Sequence, residues 1–266
     1  MNEALYLKAA LLGVVEGLTE FLPISSTGHL IVVGDWLDFN RDADKTFEIF
    51  IQLGAILSVC WYYRDRLREV AKGVGRRGDA NRFVLNLLIA FLPAAAIGFI
   101  AHDTIKKWLF SPRVVAYAML LGGLAILLIE YALKRRTSTA DVGPTRTQAL
   151  QIGCAQVLAL IPGVSRSGAT IMGGMVTGLS RPAATEFSFF LAIPVMFAAT
   201  AYDLLKSWNT LVVDDLGVFV VGFVMAFISA LATIRFLLRF VSQHSFAVFA
   251  YYRLIFGAWL LWHYRG

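Results

Sequence analysis

The stretch from Val14 to Leu30 reads V-V-E-G-L-T-E-F-L-P-I-S-S-T-G-H-L, and it places charged and hydroxyl side chains inside an apolar, membrane-type sequence. Glu16 and Glu20 are four residues apart, so on a helix they lie one turn apart on the same face. Two carboxylates buried in hydrocarbon without partners would each cost several kcal/mol. A metal ion, an arginine or a substrate-bound cation must therefore compensate them, which makes this stretch a functional-site hypothesis.

The same stretch cannot form one clean membrane span. Pro23 ends or kinks the helix that carries the two acids, and the apolar sequence over 5–34 is interrupted again at Gly28. Irregular backbone at membrane depth is tolerated only where protein or a water-filled cavity satisfies it. The sequence therefore predicts a broken, re-entrant hairpin whose turn carries a polar cluster: Ser25, Ser26, Thr27, Gly28 and His29.

The composition indicates the fold class. Of 266 residues, 58% are hydrophobic and 16% charged, with a mean hydropathy of +0.67, whereas soluble domains carry about 25% charged residues. Several apolar runs reach the roughly 20 residues that a transmembrane helix needs, and no convincing signal peptide precedes them. We predict an all-α polytopic membrane protein with two re-entrant segments and about six transmembrane helices, at 46–63, 83–101, 114–133, 184–204, 217–239 and 247–264. A short amphipathic connector with Lys106 and Lys107 is expected between the second and third of these helices.

The net charge of +6 does not indicate a nucleic-acid partner, because the basic residues lie between the apolar runs and set membrane orientation. The loops at 64–82, 134–148 and 240–246 share one side, which we expect to be cytoplasmic. Both termini and the loop at 35–45 would then face outward. Cys60 and Cys154 lie in apolar sequence and are expected to be buried free thiols.

The two halves of the chain resemble each other. A shift of 136 residues aligns Phe83 and Ala90 with Phe219 and Ala226, and a shift of 140 aligns four further pairs: Gly13 with Gly153, Glu16 with Gln156, Ser25 with Ser165, and Gly28 with Gly168. This pattern favours one membrane domain, 1–266, made of pseudo-repeats 1–133 and 149–266. With three spans and one re-entrant element per half, the second copy must insert upside down, as in inverted-repeat membrane proteins.

A second apolar segment, over 149–178, is predicted to be interrupted at five positions: Pro162, Gly163, Gly168, Gly173 and Gly174. It contains L-I-P-G-V-S-R-S-G-A-T from Leu160 to Thr170. Arg166 supplies a planar fork suited to phosphate, and successive backbone N–H groups in such a turn can bind an anion. The spacing is not that of a Walker A loop. Duplication predicts that this loop faces the Ser25–His29 loop, bringing acids, hydroxyls and a guanidinium together. Such a set suits phosphoryl or pyrophosphoryl transfer.

The two motifs, E-G-L-T-E-F-L-P-I-S-S-T-G-H at 16–29 and P-G-V-S-R-S-G-A-T at 162–170, resemble the signatures of the undecaprenyl-diphosphatase, or bacitracin-resistance, family of bacteria. The similarity extends to T-F-E-I-F-I-Q-L-G at 46–54 and E-F-S-F-F-L-A-I-P at 186–194. The resemblance implies a multi-pass plasma-membrane enzyme, a phosphoric anhydride hydrolase, that removes the terminal phosphate of undecaprenyl diphosphate. This reaction recycles the lipid carrier for peptidoglycan synthesis, and the active site would open to the outer, periplasmic side.

The resemblance also assigns roles by position. Glu16 and Glu20 would hold a divalent cation, Mg²⁺ or Ca²⁺. Ser26 would be the nucleophile, His29 the acid/base and Arg166 the pyrophosphate clamp. The substrate-binding groups would be Arg166 and the hydroxyls of both loops: Ser25, Thr27, Ser165, Ser167 and Thr170. The expected partners are the polyprenyl diphosphate and membrane lipids, with a homodimer left open and no nucleic acid.

Other interpretations of the same residues stay open at this point. The two glutamates can form a proton relay, and Ser26 can position phosphate while metal-activated water attacks. A lipid transporter or flippase with a midplane site shares the inverted-repeat architecture. A membrane phosphatase of the phosphatidic-acid-phosphatase type has partly similar motifs, but the additional motifs of that family have no counterpart here.

Overall fold

The computed structural model describes residues 2–39, 42–76, 78–134, 143–207 and 216–264. Over these ranges the chain contains no β-strand and forms a 3₁₀ turn at Leu158–Leu160 and eleven α-helices: α1 (Asn2–Thr19), α2 (Ser26–Trp36), α3 (Asp42–Tyr62), α4 (Arg64–Gly73), α5 (Asp79–Leu109), α6 (Pro112–Leu133), α7 (Arg146–Val157), α8 (Arg166–Val176), α9 (Arg181–Ser207), α10 (Leu216–Val241) and α11 (Ala247–His263).

Four helices of the described chain are long and apolar enough to cross a membrane: α5 over Asp79–Ala101, α6, α9 over Arg181–Lys206, and α10. A fifth candidate joins Thr46–Tyr62 of α3 to α4 across a 73° bend. The remaining predicted span, α11, has 17 residues and extends about 26 Å, less than the hydrocarbon thickness of about 30 Å. The protein is thus a multi-pass helical membrane protein, and the count of six spans stays a prediction.

The first broken segment is built as α1, a turn and α2. Glu20 follows the last residue of α1, and its amide N still bonds the Glu16 carbonyl at 2.9 Å, so the two acids keep helical spacing. The chain then turns at Pro23 and starts α2 after Ser25. With 11 residues, α2 extends about 16 Å, roughly half the hydrocarbon thickness.

The second broken segment repeats this arrangement. A turn over 161–165 separates α7 and its 3₁₀ extension from α8, which also has 11 residues. The start of α8 lies 140 residues after the start of α2, which is the shift that aligned the two motifs. A helix of this length cannot span the bilayer by itself.

Equivalent glycines let helices approach closely in both halves. A Cβ on Gly13 would lie 2.3 Å from the carbonyl oxygen of Gly222 and 3.2 Å from the amide of Ala226, so α1 packs directly on α10. A Cβ on Gly153 would lie 2.6 Å from the carbonyl oxygen of Ala90, so α7 packs in the same way on α5. The two glycines and the two alanines are the pairs that the sequence shifts aligned. Small residues at helix contacts are typical of membrane proteins.

Several predicted boundaries are wrong. Gly28 lies inside α2, and three glycines predicted to interrupt the second segment lie inside α8: Gly168, Gly173 and Gly174. The amphipathic connector predicted at Lys106 and Lys107 is the continuous end of α5. Both cysteines are free, but Cys154 is exposed on its helix and not buried. Part of the loop at 35–45 and the basic residues Arg77, Arg135 and Arg136 fall outside the described residues.

Candidate active site

The two turns lie against each other in the interior. Ser167 Oγ donates to the carbonyl of Leu22 at 2.9 Å, and Ser165 Oγ lies 3.5 Å from the same oxygen. Phe21, beside them, is fully buried and packs edge-on against Phe189 with ring centroids 5.4 Å apart. The sequence expectation that the two motif loops meet is therefore confirmed.

A serine in a left-handed backbone conformation precedes each short helix. Ser25 has φ 67° and Ser165 has φ 75°, values that cost a non-glycine residue roughly 1–2 kcal/mol each. The Ser165 hydroxyl accepts from the amide of Gly168 at 3.1 Å and caps α8, whereas Ser25 makes no such capping bond. Strained residues of this kind concentrate at functional sites. Here they aim the residues that follow them, Ser26 and Arg166, into one cavity.

Ser26, Glu20 and Arg166 form a connected line of polar groups. The Ser26 hydroxyl donates to Glu20 Oε2 at 2.5 Å, and Arg166 Nη2 donates to Glu20 Oε1 at 3.1 Å. The side chains of the ion pair are 12% and 8% exposed, so the pair is largely shielded. A hydroxyl bonded to a carboxylate has a base within reach, which is the requirement for an activated nucleophile.

The guanidinium of Arg166 is oriented by α9. Its Nη1 donates to the carbonyl of Ser188 at 3.1 Å, Nη2 lies 3.6 Å from Met196 Sδ, and its Cζ lies 5.7 Å from the centre of the Phe21 ring. The Nε atom is buried without a hydrogen-bond partner. Arg166 therefore keeps an unused donor. Sequence reasoning missed the α9 contribution, although Ser188 lies within the segment singled out at 186–194.

A cavity of about 160 Å³ lies between the two turns. This is roughly five times the ~30 Å³ that one water occupies in the liquid. Its lining contains Glu20, Ser26 and Arg166, together with Gln52 of α3. It also contains three further predicted substrate-binding residues and four less polar residues of the second segment: Ser25, Thr27 and Ser165, then Ala159, Ile161, Pro162 and Gly163. Ser167 and Thr170 lie behind this lining, where they bond the Leu22 carbonyl and the Ser188 hydroxyl.

Glu16 is 1% exposed, and its Oε1 is buried without a hydrogen-bond partner. Within the described residues, no group of three or more His, Cys, Asp or Glu side chains could hold a metal ion. Magnesium is commonly bound by one or two carboxylates, with phosphate and water oxygens completing its shell. Glu16 is not among the residues that line the cavity, but its orphaned carboxylate oxygen, one helical turn from Glu20, is the kind of ligand that such a cation takes.

His29 contacts the backbone of the turn and not the cavity. Its Nδ1 lies 2.8 Å from the Ser25 carbonyl, which can only accept, so Nδ1 carries the proton. Nε2 lies 2.6 Å from the Tyr252 hydroxyl, and the ring stacks on Phe256 with centroids 4.6 Å apart. Tyr252 lies 223 residues away, and no sequence pattern linked it to His29.

An apolar groove of about 740 Å³ adjoins this site. Helices α6, α7 and α8 and the 3₁₀ turn form its walls, with residues such as Leu121, Ile129, Leu158 and Met172, and Arg253 of α11 also lines it. Ile161 lines both the groove and the polar cavity, so the two spaces meet at the second turn.

The pH response of one group that follows the last described helix can be assigned. Tyr264, after the end of α11, donates to Asp35 Oδ2 at 2.5 Å. Burial, the hydrogen bond and the charge of Asp35 raise the pKa of Tyr264 to about 12.

Known proteins are similar in sequence to this chain along nearly its whole length. The family model of the bacitracin resistance protein BacA matches residues 9–259. An undecaprenyl-diphosphatase of Nitrosospira multiformis is 62% identical over 261 residues, covering 97% of this chain and 94% of the relative. Those of Nitrosomonas europaea (59%, covering 97% and 94%) and Methylobacillus flagellatus (55%, covering 99% and 100%) are similar throughout. The chain therefore belongs to the bacitracin resistance protein BacA family.

Proposed function

We propose that this protein hydrolyses undecaprenyl diphosphate to undecaprenyl phosphate and phosphate, recycling the lipid carrier for peptidoglycan synthesis and conferring bacitracin resistance. The observation that carries the proposal is the line from the Ser26 hydroxyl through Glu20 to the Arg166 guanidinium, in a cavity between the two turns. The relatives named above support the same activity. No observation favours the transporter interpretation.

The chemistry follows from this line. Arg166 binds the diphosphate and neutralises its charge as the bond to phosphorus breaks. Ser26 Oγ attacks the terminal phosphorus, its proton passes to Glu20 Oε2, and undecaprenyl phosphate leaves. Glu20 passes that proton to the departing undecaprenyl phosphate, so the same carboxylate can next deprotonate the water that attacks the phosphoserine. Glu20 returns this second proton to Ser26 Oγ as phosphate is released. In the alternative, a water molecule attacks directly, and Ser26 only positions the phosphate.

Glu16 and Glu20 are the proposed ligands of a divalent cation, Mg²⁺ or Ca²⁺. The cation would add positive charge against the diphosphate oxygens. The orphaned Glu16 Oε1 supports this assignment.

For His29 we propose that the ring holds the Ser25 carbonyl and thereby aims Ser26. The acid/base role is the second candidate, because Nε2 reaches only the Tyr252 hydroxyl in this conformation. His29→Asn separates the two roles, since an asparagine amide can donate where Nδ1 does but does not titrate. We expect His29→Asn to keep most of the turnover that His29→Ala loses. Equal loss in both would assign the acid/base role.

The apolar groove is the proposed path of the polyprenyl chain. Its meeting with the polar cavity at Ile161 supports this placement, because a lipid diphosphate needs a charged headgroup site continuous with an apolar channel. All residues of the proposed site come from one chain, so a homodimer, if it forms, would contain two complete sites.

We also propose that the two halves form an inverted repeat, with the active site and both termini facing outward. The 140-residue spacing of α2 and α8 and the equivalent glycine contacts support the duplication. The two most basic loops, 64–82 and 134–148, fall on the same side in this arrangement and support the orientation. Cysteines placed at Asp35 and Ser242 test it: an impermeant thiol reagent applied to intact cells should label the first and spare the second.

The proposed function is tested by phosphate release from detergent-solubilised protein given undecaprenyl diphosphate. Ser26→Ala and Arg166→Ala should each abolish most turnover. Ser58→Ala is the matched control, because Ser58 is a buried serine on α3 whose hydroxyl bonds only its own helix, at the Ala55 carbonyl, 2.6 Å away. Acid quenching with ³²P-labelled substrate should trap phosphoserine in the wild type. Turnover without a trapped intermediate, together with an active Ser26→Ala, would assign the attack to water.

A further inference from the structure

A second arginine, Arg253 on α11, lies behind the two turns. It is fully buried, and each of its five N–H donors points at a backbone carbonyl. Nη1 donates to Pro23 at 3.1 Å and to Val164 at 3.0 Å. The other bonds run from Nη2 to Ala118 and Gly163, both at 3.0 Å, and from Nε to Met119 at 3.3 Å.

The carbonyls that it holds belong to both motif turns. Pro23 lies three residues before Ser26, and Gly163 lies three residues before Arg166. These two residues are 140 positions apart, so one guanidinium bonds equivalent carbonyls of the two repeats. Val164 adds a second carbonyl of the second turn, and the bonds to Ala118 and Met119 fix the guanidinium to α6. Arg253 thus links the turn that precedes Ser26, the proposed nucleophile, to the turn that precedes Arg166, the proposed diphosphate-binding group.

Only arginine can satisfy this arrangement. Its planar fork presents five donors in fixed directions, whereas lysine has three donors on one atom. Burial of a charge is costly unless hydrogen bonds compensate it, and carbonyl oxygens provide that compensation here. The chain also makes room for the fork: a Cβ on Gly122 of α6 would lie 2.1 Å from Arg253 Nη2.

We propose that Arg253 is a positioning residue for phosphoryl transfer, which holds Ser26 and Arg166 at the separation that the reaction needs. This inference rests on the proposed function. Because all its donors are used by the backbone, Arg253 has none left for substrate. Its effect therefore passes through the two turns, and misplacement of a reacting group by about 1 Å can cost on the order of 10²-fold in rate.

The test compares Arg253→Lys, Arg253→Gln and Gly122→Ala with Gly257→Ala. Gly122→Ala displaces the guanidinium without removing it, so it answers the question even if the Arg253 variants do not fold. Gly122 also lines the apolar groove, so an effect on the lipid chain is expected in KM and is separated from the effect on kcat. Gly257→Ala is the matched control in the same α6–α11 contact: its Cβ would lie 3.0 Å from the Ala116 carbonyl, which Arg253 does not bond, and 3.1 Å from Met119 Cβ, but it meets no atom of the guanidinium. Turnover and KM are measured per folded molecule, with folding followed by gel filtration and thermal unfolding.

We expect kcat to fall about 10²-fold in Gly122→Ala and Arg253→Gln, with KM changed less than about threefold. Arg253→Lys should recover part of the loss, and Gly257→Ala should keep kcat while lowering the melting temperature. A role in folding alone would lower the folded fraction and leave kcat per folded molecule unchanged. A wild-type kcat in Gly122→Ala, or a loss of kcat in Gly257→Ala as large as that in Gly122→Ala, would overturn this inference but not the proposed function. A wild type that releases no phosphate would overturn the proposed function with it.

Discussion

Replacement of Glu20 by glutamine tests the proposed proton transfer most directly. Glu20 has two acceptor oxygens, and each has one donor: the Ser26 hydroxyl on Oε2 and the Arg166 guanidinium on Oε1. Glutamine has nearly the same shape but replaces one oxygen by an NH₂ group, which cannot accept. If the new NH₂ group of Glu20→Gln faces Arg166, two donors oppose each other there, and the amide oxygen that faces the Ser26 hydroxyl is too weak a base to take its proton.

The expected loss can be estimated. A general base contributes about 10²–10⁴-fold to rate, which at about 1.36 kcal/mol per decade is roughly 3–5.5 kcal/mol of barrier. Glu20→Asp keeps the charge but withdraws it by one methylene, and we expect a loss of about 10²-fold from misplacement. Removing one partner of a buried pair also costs stability, up to about 3–5 kcal/mol. Turnover must therefore be normalised to folded protein.

The assay is phosphate release under single-turnover conditions for wild type, Glu20→Gln, Ser26→Ala and the double variant. If Ser26 passes its proton to Glu20, the double variant should be no slower than the slower single variant, because both substitutions remove the same step. Glu20→Gln within tenfold of wild type would refute the reasoning. So would losses that simply multiply in the double variant.

Two further predictions concern the cation and the pH response. Chelation should remove turnover, and Mg²⁺ or Ca²⁺ should restore it. Because the cation binds only the folded protein, it should raise the melting temperature of the wild type but not that of Glu16→Gln. Turnover that does not respond to the chelator would contradict the metal assignment. The pKa of Tyr264, about 12 in the folded protein, is above the unfolded value of about 10, so its contribution to stability is complete below about pH 10 and is lost between about pH 10 and 12. Tyr264→Phe should lack this loss in thermal melts at pH 9 and 11.5, and an identical decline in both proteins would contradict it.

The broken first segment could be predicted because it depends only on residues that are neighbours in the sequence. Two acids one turn apart, followed by Pro23 and a run of hydroxyls, cannot continue as an apolar span. The duplication then predicted that Arg166 faces Glu20, and the two side chains do form an ion pair at 3.1 Å. The first motif carries the acid and the second carries the guanidinium, and this opposite charge was sufficient to predict that they meet.

Helix boundaries were less predictable, because glycine has two meanings in a membrane protein. In the sequence, Gly28 and Gly173 read as breaks, but both lie inside helices. A Cβ on Gly28 would lie 3.1 Å from Val115 Cγ1, and one on Gly173 would lie 2.8 Å from Ala155 Cβ. These glycines allow close packing between helices, and only the tertiary arrangement distinguishes that use from a turn.

The contacts of α11 could not be predicted, because they depend on where that helix packs. Arg253 was visible as a charge inside an apolar run, which is a functional hypothesis in any membrane helix. Which carbonyls it reaches depends on the approach of α6 and the two turns. The Tyr252 bond to His29 likewise joins residues far apart in sequence.

The two arginines that contact the motif turns, Arg166 and Arg253, differ in a way that assigns their roles. Arg253 spends all five donors on backbone carbonyls, whose positions the fold fixes, so it has no donor to offer a ligand. Arg166 has an unused Nε, and its acidic partner, Glu20, is the group proposed to take up the serine proton. Protonation of that carboxylate weakens its hold on the guanidinium at the moment when negative charge develops on the phosphate. The guanidinium that has an exchangeable partner is therefore the one suited to bind substrate, and the saturated one is suited to hold the site in place.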